Sequence, residues 1–338
     1  MKLDELGEFG FINTLAPAFE HLAAEGMTGI GDDCAILPMN DHEDLLVTTD
    51  LLIEDVHFLR EAISPLQLGH KALAVSLSDI AGMGGSPIAS FMSIAIPLEL
   101  DVAYLDEVMD GYRTLSEEYQ LPLLGGDTTK SMKAIAINVC VLGKCHKDKV
   151  RLRSMALPGD VICVTGCLGD SAGGLQLLLD EIPLNNEHKG LLEKHHQPEP
   201  RVKEALFLSS FEGVHAMMDI SDGIASDLSH ILNASGVSAK VCLEDIPLSD
   251  ELKSISQKNK WDALGLALGG GEDYELLFTV QKDKLTAVQQ EFEERFETPL
   301  YPIGGIEEGA TEIRWMKESR EVRMSNKGFT HFESPDVL

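Results

Sequence analysis

The sequence lacks long hydrophobic runs and is short of basic residues. No uncharged apolar stretch reaches the roughly 18 residues of a membrane-spanning helix, and Met1 to Glu5 do not have the basic-then-apolar order of a signal peptide. Lys and Arg total 27 against 56 Asp and Glu, for a formal net charge of −29. Such a charge disfavours binding to nucleic acid or to an anionic membrane. We therefore expect a cytoplasmic protein with neither kind of partner.

Motifs for zinc sites and for common nucleotide-binding loops are also missing. The six cysteines contain no Cys-x-x-Cys pair, which argues against a zinc ribbon or a dithiol redox site. The glycines that follow the apolar run 161–165 match neither the dinucleotide fingerprint nor the Gly-Lys-Ser/Thr phosphate loop. They are only a weak signal for phosphate binding at a helix N-terminus.

What the sequence has instead is aspartate at the ends of apolar or glycine-rich segments. The sites are Gly31-Asp32-Asp33-Cys34, Thr48-Thr49-Asp50, Leu77-Ser78-Asp79, Gly125-Gly126-Asp127 and Asp219-Ile220-Ser221-Asp222. Carboxylates that converge on one edge of a sheet suit Mg²⁺, particularly beside substrate phosphates. Aspartate also favours turns and helix caps for local reasons, and Ser221-Asp222 makes a good N-cap for the helix that follows. Because several sites follow strand-like runs, the pattern predicts a metal-dependent phosphate enzyme.

Length and hydrophobic periodicity predict two domains that divide near residue 150. The chain has 338 residues, of which 44% are hydrophobic, enough for a core in each half. In the first half, patterns predict helices over 8–22, 65–83 and 100–119, the second of which starts at Ser64-Pro65. They predict strands over 35–37, 45–49, 87–97, 122–124 and 134–142, of which the first two form a hairpin. In the second half they predict strands over 161–165, 214–218, 239–243, 274–280 and near 301, with helices over 175–179, 187–208, about 223–233 and between the last two strands. The fold class is therefore α+β, with a mixed sheet and helices on one face in the second half.

Asp79 is the most informative carboxylate, because it lies in the otherwise uncharged helical stretch 73–81. Burying an unpaired carboxylate costs on the order of several kcal/mol, so we expect a cation beside it. On the preceding strand, Thr48 and Asp50 share one face by the period of two. A hydroxyl and a carboxylate are therefore placed to approach one metal ion together.

A basic cluster stands out from the acidic chain between residues 144 and 153. Its members are Lys144, Lys147, Lys149, Arg151 and Arg153. The cluster is open to two interpretations, a solvated strand between the domains or a contact with nucleotide phosphates, for which Arg153 is the foremost candidate. Three histidines in the charged stretch 187–208, His188, His195 and His196, have no metalloprotease-like spacing, and we interpret them as surface residues.

A set of motifs, in order along the chain, resembles the bacterial thiamine-monophosphate kinase family. The motifs are Gly29-Ile30-Gly31-Asp32-Asp33-Cys34-Ala35, Thr49-Asp50, Val56-His57-Phe58, Lys71-Ala72-Leu73-Ala74-Val75-Ser76-Leu77-Ser78-Asp79, Gly125-Gly126-Asp127-Thr128-Thr129, Asp219-Ile220-Ser221-Asp222-Gly223 and Gly270-Gly271-Glu272-Asp273-Tyr274-Glu275-Leu276. The resemblance runs from about Gly7 to Phe332. Each motif alone is modest, but the ordered set is specific.

The resemblance implies the two-domain fold of aminoimidazole ribonucleotide synthetase, with residues 1–150 forming an ATP- and Mg²⁺-binding domain that pairs in a homodimer and residues 151–338 forming an α/β domain. It implies phosphorylation of thiamine monophosphate by ATP, with several Mg²⁺ ions. The implied metal ligands are Asp33, Thr48, Thr49, Asp50, Asp79, Asp127, Asp219 and Asp222. The implied ATP contacts are Gly126, Arg153, Ser221 and Tyr112, and the implied thiamine-phosphate contacts are His57, Glu272 and Phe329.

The chemistry of that reaction agrees with these residues, because an ionised phosphate acceptor needs no side-chain base. We therefore expect no catalytic residue beyond metal-assisted, in-line transfer. Two alternatives stay open at this point. One is another ATP-dependent enzyme of the same fold that acts on a different phosphorylated or amine substrate, and the other is a non-catalytic acidic protein that binds divalent cations.

Overall fold

Two β-sheets organise the protein, one in each half of the sequence. The computed structural model describes residues 7–324, and within this range the sheets have five and seven strands. The helices are α1 (Glu8–Glu20), α2 (Pro65–Gly82), α3 (Val102–Glu118), α4 (Asp170–Leu179), α5 (Lys189–His196), α6 (Val202–Ser210), α7 (Ile224–Ser235), α8 (Asp250–Asn259), α9 (Ala263–Gly269) and α10 (Leu285–Phe296). The strands are β1 (Ala35–Pro38), β2 (Glu43–Ile53), β3 (Ser86–Pro97), β4 (Leu123–Ser131), β5 (Ala136–His146), β6 (Val161–Val164), β7 (Val214–Asp219), β8 (Ser238–Cys242), β9 (Leu276–Val280), β10 (Tyr301–Glu307), β11 (Ile313–Lys317) and β12 (Arg320–Val322).

The first sheet contains the predicted hairpin of β1 and β2 and has the strand order β1-β2-β5-β3-β4. The pair β3–β4 is parallel, and the other pairs are antiparallel. Burial alternates along β5, so that Ile137, Val139 and Val141 are buried while Asn138 and Cys140 keep part of their surface exposed. The buried side faces α2, which packs on β5. The other side is an open face of the sheet.

Helix α2 lies between the two sheets. It starts at a capping box formed by Ser64 and Gln67, with Pro65 in its first turn, as the sequence predicted. From Leu68 to Gly82 almost every residue is buried, which is typical of a helix that is apolar on all sides. The helix contacts β2, β3 and β5 of the first sheet and β7 and β9 of the second. One continuous apolar core therefore joins both sheets through α2.

The second sheet is mixed, as predicted, with the strand order β12-β11-β8-β10-β6-β9-β7. Only β8 and β11 pair in parallel within the described range. All five residues of β9 are buried, because α2 and α7 both pack against this strand. A further core, which includes Leu228 and Ile231 of α7, fills the space between that helix and the sheet. No helix between residues 7 and 324 has the length and apolarity that crossing a membrane requires.

Three predicted boundaries were wrong. Strand β4 continues through Gly125-Gly126-Asp127 to Ser131, past its predicted end at residue 124. The stretch 187–208 is two helices, because Pro198 and Pro200 interrupt it between α5 and α6. Helix α4 begins at Asp170, five residues before the predicted start. The helices α8 and α9 had no predicted counterpart.

The predicted N-cap at Ser221-Asp222 was also wrong. Gly223 occupies the N-cap position of α7 with φ of 104°, and no side chain caps this helix. A Cβ atom at Gly223 would lie 2.8 Å from the carbonyl oxygen of Gly270, so glycine permits both the backbone conformation and the close approach. Ser221 and Asp222 are thereby left in the loop between β7 and α7.

The three histidines interpreted as surface residues are buried. The exposed fractions of His188, His195 and His196 are 7%, 4% and 6%. Burial lowers the pKa of His196 to about 4, and burial together with the nearby Lys71 ammonium lowers the pKa of His195 well below its ordinary value. Both rings are therefore neutral near pH 7.

Candidate metal and phosphate site

Three aspartates from separate elements converge at one end of α2. Asp33 precedes β1, Asp79 lies in the last turn of α2, and Asp219 ends β7. One carboxylate oxygen from each lies within 4.8 Å of the other two. The sequence predicted all three as metal ligands, and the structure brings them together because α2 packs against both sheets.

Hydroxyl groups of β2 and α2 surround this cluster. Thr48 donates a hydrogen bond to Asp79 Oδ2, and Ser78 donates to Asp219 Oδ2 at 2.5 Å. Ser76 donates to Asp50 Oδ2 at 2.6 Å. The period of two along β2 puts Thr48 and Asp50 on the side that faces α2, as predicted. Asp50, Asp79 and Asp219 are thus each held by a hydroxyl group.

Burial disfavours the ionised form of these carboxylates. Burial raises the pKa of Asp219 to about 8, and the charge of Asp33 adds to the effect. Burial also raises the pKa values of Asp33, Asp50 and Asp79. Repulsion from Asp50 and Asp219 contributes further at Asp79. Without a cation, ionising the whole cluster is therefore costly.

Arg153 is the member of the basic cluster that reaches the site. Its guanidinium bonds to Asp33 Oδ1, with Nε 3.7 Å from Asp32, and its backbone N–H donates to Asp32 Oδ2 at 3.0 Å. Burial and the neighbouring Asp33 raise the pKa of Asp32 to about 7 despite this contact. By contrast, Lys144 and Lys147 pair with Glu43 and Asp44 near the start of β2. Lys144 and Lys147 are therefore paired away from the carboxylate cluster, and Arg153 stays the candidate for a phosphate contact.

The cluster has the features of a site for a hard cation. Asp33 Oδ2 is buried and has no hydrogen-bond partner among residues 7–324. A Cβ atom at Gly82 would lie 2.4 Å from this oxygen and 3.0 Å from the backbone nitrogen of Asp219, so only glycine leaves the carboxylate its space. The donors are all carboxylate and hydroxyl oxygens, which Mg²⁺ prefers over softer metals. The residues present therefore fit Mg²⁺.

A second group of possible ligands lies at the start of α7. Potential ligand atoms of Asp222, Asp227 and His230 all lie within 4.8 Å of one another, and the backbone N–H of Asp222 lies 3.3 Å from Asp227 Oδ2. Asp222 was predicted as a metal ligand, whereas Asp227 and His230 were missed. Asp227 and His230 are three residues apart on a helix, so they lie on one face. This spacing is the sequence pattern from which they could have been recognised as possible ligands.

Glu272, which was predicted to contact thiamine phosphate, lies in the loop between α9 and β9. Its carboxylate pairs with Lys71 at 2.9 Å and lies 3.3 Å from Nδ1 of His195. Its backbone N–H donates to the carbonyl of Ser221 at 2.8 Å. The residue predicted to contact thiamine phosphate therefore lies next to a residue predicted to contact ATP. His57 lies in the turn after β2, where its Nδ1 accepts the N–H of Ile53 at 3.0 Å.

Other predicted residues lie apart from the buried cluster. Thr49 is exposed on β2, where its Oγ1 accepts a hydrogen bond from Asn138 at 2.8 Å, and Gly126 and Asp127 lie on the exposed strand β4. Tyr112 is buried in the core of the first half, and its hydroxyl donates to Ser90 Oγ at 2.8 Å. Phe329 lies outside the described residues.

Comparison with known proteins gives consistent matches over nearly the whole chain. A family model for the N-terminal domain of AIR synthase related proteins matches residues 31–145, and the model for their C-terminal domain matches residues 158–316. The thiamine-monophosphate kinase of Bacillus subtilis is 34% identical over 333 residues, which cover 97% of this chain and 100% of the relative. The thiamine-monophosphate kinase of Salmonella typhimurium is 35% identical over 331 residues, which cover 97% and 99%.

Among solved structures, AaThiL complexed with AMPPCP and TMP superposes with a TM-score of 0.84. The two sequences are 34% identical, and the match covers 98% of this chain and 99% of that chain. The arrangement of both sheets and of the helix between them is therefore shared with a protein that was solved in complex with AMPPCP and TMP.

Proposed function

The chain belongs to the thiamine-monophosphate kinase family, and from that membership we propose that it transfers the γ-phosphoryl group of ATP to thiamine monophosphate. The observation that carries the proposal is the buried cluster of Asp33, Asp79 and Asp219. Burying these three carboxylates together is unfavourable for folding, so their convergence is better explained by a bound cation than by stability. Such a cluster suits a reaction between two phosphate anions, because that reaction needs bound metal cations.

The main barrier to this reaction is repulsion between the two substrates. Two unit charges about 4 Å apart interact by ~4 kcal/mol at an effective dielectric of 20, and two phosphate chains contain several such pairs. Asp33, Thr48, Asp50, Asp79, Asp219 and Asp222 would hold several Mg²⁺ ions. When bound, Mg²⁺ offsets the phosphate charge and supports an in-line transfer. The acceptor phosphate is already ionised near pH 7, so the protein supplies no base.

We assign nucleotide binding to Arg153 and Ser221. Arg153 is held at the edge of the cluster by Asp32 and Asp33, and a guanidinium there can exchange a carboxylate for a phosphate with similar bidentate geometry. Ser221 lies in the loop between β7 and α7, two residues before the N-cap of α7, where free backbone N–H groups favour anions.

We assign acceptor binding to His57 and Glu272, which come from different halves of the chain. The Glu272 carboxylate is 24% exposed, so it can reach a ligand from its place next to Ser221. A carboxylate also complements the positive charge of the thiazolium ring of thiamine monophosphate. The acceptor would then lie between the two halves, next to the nucleotide, a common location for ligand sites.

We further propose that residues 1–150 form a homodimerisation domain through the open face of the first sheet. Support comes from two apolar side chains there, Phe91 and Leu51, which are 37% and 49% exposed. Every residue of β4 from Leu123 to Lys130 is also exposed in the single chain. A second copy packed on this face would cover β4 and bring Gly126 and Asp127 next to another protein surface. Sedimentation should show a dimer for the natural chain and a monomer for Phe91→Glu.

The test of the activity is ATP turnover by purified protein with Mg²⁺, in the presence and absence of thiamine monophosphate. Formation of thiamine diphosphate and ADP in equal amounts is the expected result. ATP turnover that needs a different phosphorylated or amine acceptor would point to another activity on the same fold. If no acceptor supports ATP turnover, the protein would instead be a non-catalytic protein that binds divalent cations.

A further inference from the structure

Lys71 is a fully buried cation to which the sequence patterns assigned no role. It lies on α2, and its side chain has 0% exposure. Its Nζ lies 2.9 Å from Glu272 Oε1 and 3.1 Å from Oε2, and it donates a hydrogen bond to the carbonyl of His195 at 3.0 Å. An ammonium has three N–H donors and no acceptor. The surroundings of Lys71 therefore satisfy it as a charged group.

We propose that Lys71 is a positioning residue, whose ammonium holds the Glu272 carboxylate in the orientation that meets thiamine monophosphate. This inference rests on the proposed function, because it concerns how the same acceptor site is set. Lys71 itself is not expected to contact either substrate. It acts through Glu272.

The backbone alone does not fix the Glu272 side chain. The residue has φ of 66°, and its N–H bonds to the Ser221 carbonyl at 2.8 Å, which together fix where the side chain starts. Its carboxylate is 24% exposed and next to water. Lys71 contacts both carboxylate oxygens from one side, while the neutral ring of His195 approaches Oε2 from α5 at 3.3 Å. These two contacts restrict the partly exposed carboxylate to one orientation.

Helix α2 ties this carboxylate to the metal cluster. Lys71, Val75 and Ser78 are spaced i, i+4 and i+7, so they lie on one face of the helix. Ser78 donates to Asp219 from that face, and Lys71 holds Glu272 about two turns away. The same rigid helix thereby sets the distance between the predicted acceptor contact and the carboxylates predicted to hold Mg²⁺.

Stability does not account for a buried lysine at this position. Replacing a buried ion pair with apolar side chains of similar volume is often neutral or stabilising, whereas removing one partner leaves a charge without its counterion. A methionine at position 71 would fill a similar volume among the buried apolar side chains of α2. The charge is better explained by its effect on Glu272 than by its contribution to folding.

The test is the variant Lys71→Met, with Lys203→Met as the matched control. Lys203 also links the two halves of the chain, through an exposed pair with Glu118 at 2.8 Å. We expect Lys71→Met to raise the KM for thiamine monophosphate roughly tenfold or more, the range for losing a hydrogen bond to a charged group. The KM for ATP should change less than about twofold, and Lys203→Met should leave both constants unchanged. An equal rise in both constants would overturn the inference.

A double-mutant cycle separates positioning from a general structural role. In a Glu272→Gln background, Lys71→Met should cause no further rise in the KM for thiamine monophosphate. Additive effects would show that Lys71 acts independently of Glu272 and would refute the proposal.

Glu272→Gln alone provides a test that does not depend on the folding of the Lys71 variant. Because Glu272 is partly exposed, this variant should fold, and it should raise the acceptor KM without raising the KM for ATP. An unchanged acceptor KM would refute the positioning role even if Lys71→Met does not fold. If the natural protein does not phosphorylate thiamine monophosphate, the proposed function is refuted. The variants, by contrast, test only the role of Lys71, so the two failures are distinguishable.

Discussion

Replacing Asp219 by asparagine should make the metal-free protein more stable at pH 8. Asp219 is 1% exposed, and burial with repulsion from Asp33 raises its pKa to about 8 from the ordinary aspartate value of 3.8. Between these two values the folded state holds a proton that the unfolded state releases. The free energy of unfolding therefore falls as the pH rises through this range.

The size of the effect follows from the two pKa values. A single group with a pKa of about 8 when folded and 3.8 when unfolded removes at most ~4 kcal/mol of stability between pH 5 and pH 8. In Asp219→Asn the amide oxygen can still accept the hydrogen bond from Ser78, and no carboxylate is left to titrate. The variant should lose less stability over the same pH range and should exceed the natural protein in stability at pH 8.

The assay is urea denaturation followed by circular dichroism at pH 5, 6, 7 and 8, in a chelator and in Mg²⁺. Mg²⁺ should stabilise the natural protein increasingly as the pH rises, by ~2.7 kcal/mol at a concentration one hundred times the dissociation constant. Asp219→Asn should lose most of that gain. The control is Asp41→Asn, an exposed position between β1 and β2. A stability of the metal-free natural protein that stays constant or rises from pH 5 to pH 8 would refute the reasoning.

Two further substitutions test the roles of single residues. Asp79→Asn should remove most kinase activity at saturating Mg²⁺ while the circular dichroism spectrum stays native, because an amide is a poor Mg²⁺ ligand; near-natural turnover would contradict the metal assignment. Arg153→Ala should raise the KM for ATP more than the KM for thiamine monophosphate, since the guanidinium grips phosphate oxygens; equal changes in both constants would assign Arg153 a structural role through Asp32 and Asp33.

Strong periodic patterns predicted most elements of the first half. The hairpin of β1 and β2 and the start of α2 at Ser64 were correct because turn and cap residues coincide there with the apolar pattern. Strand β4 was cut short because Gly125-Gly126-Asp127 has turn composition and the strand is exposed on both faces. An exposed edge strand carries no alternation of apolar residues from which it could be recognised.

The convergence of Asp33, Asp79 and Asp219 was largely predictable, whereas the contacts around Glu272 were not. Asp79 was found because it is a charge in an apolar helix. Lys71 carries the same signal, since it interrupts the same helix, but its partner is 201 residues away. The prediction for His195 was wrong because the stretch 187–208 has the composition of one charged helix, and the burial of His195 beside Lys71 and Glu272 is a tertiary effect. Local patterns do not contain such long-range contacts.

The position of α2 has a consequence for how the protein unfolds. Leu73 and Ile80 of this helix belong to the same apolar core as Met217 and Phe278 of the second sheet. Separating the halves would expose that core on both sides, so the two sheets should melt in one cooperative transition and not as independent units. A fragment that ends near residue 150 would keep α2 but leave one side of it uncovered. Such a fragment would aggregate, and the stability of each half is therefore a property of the whole chain.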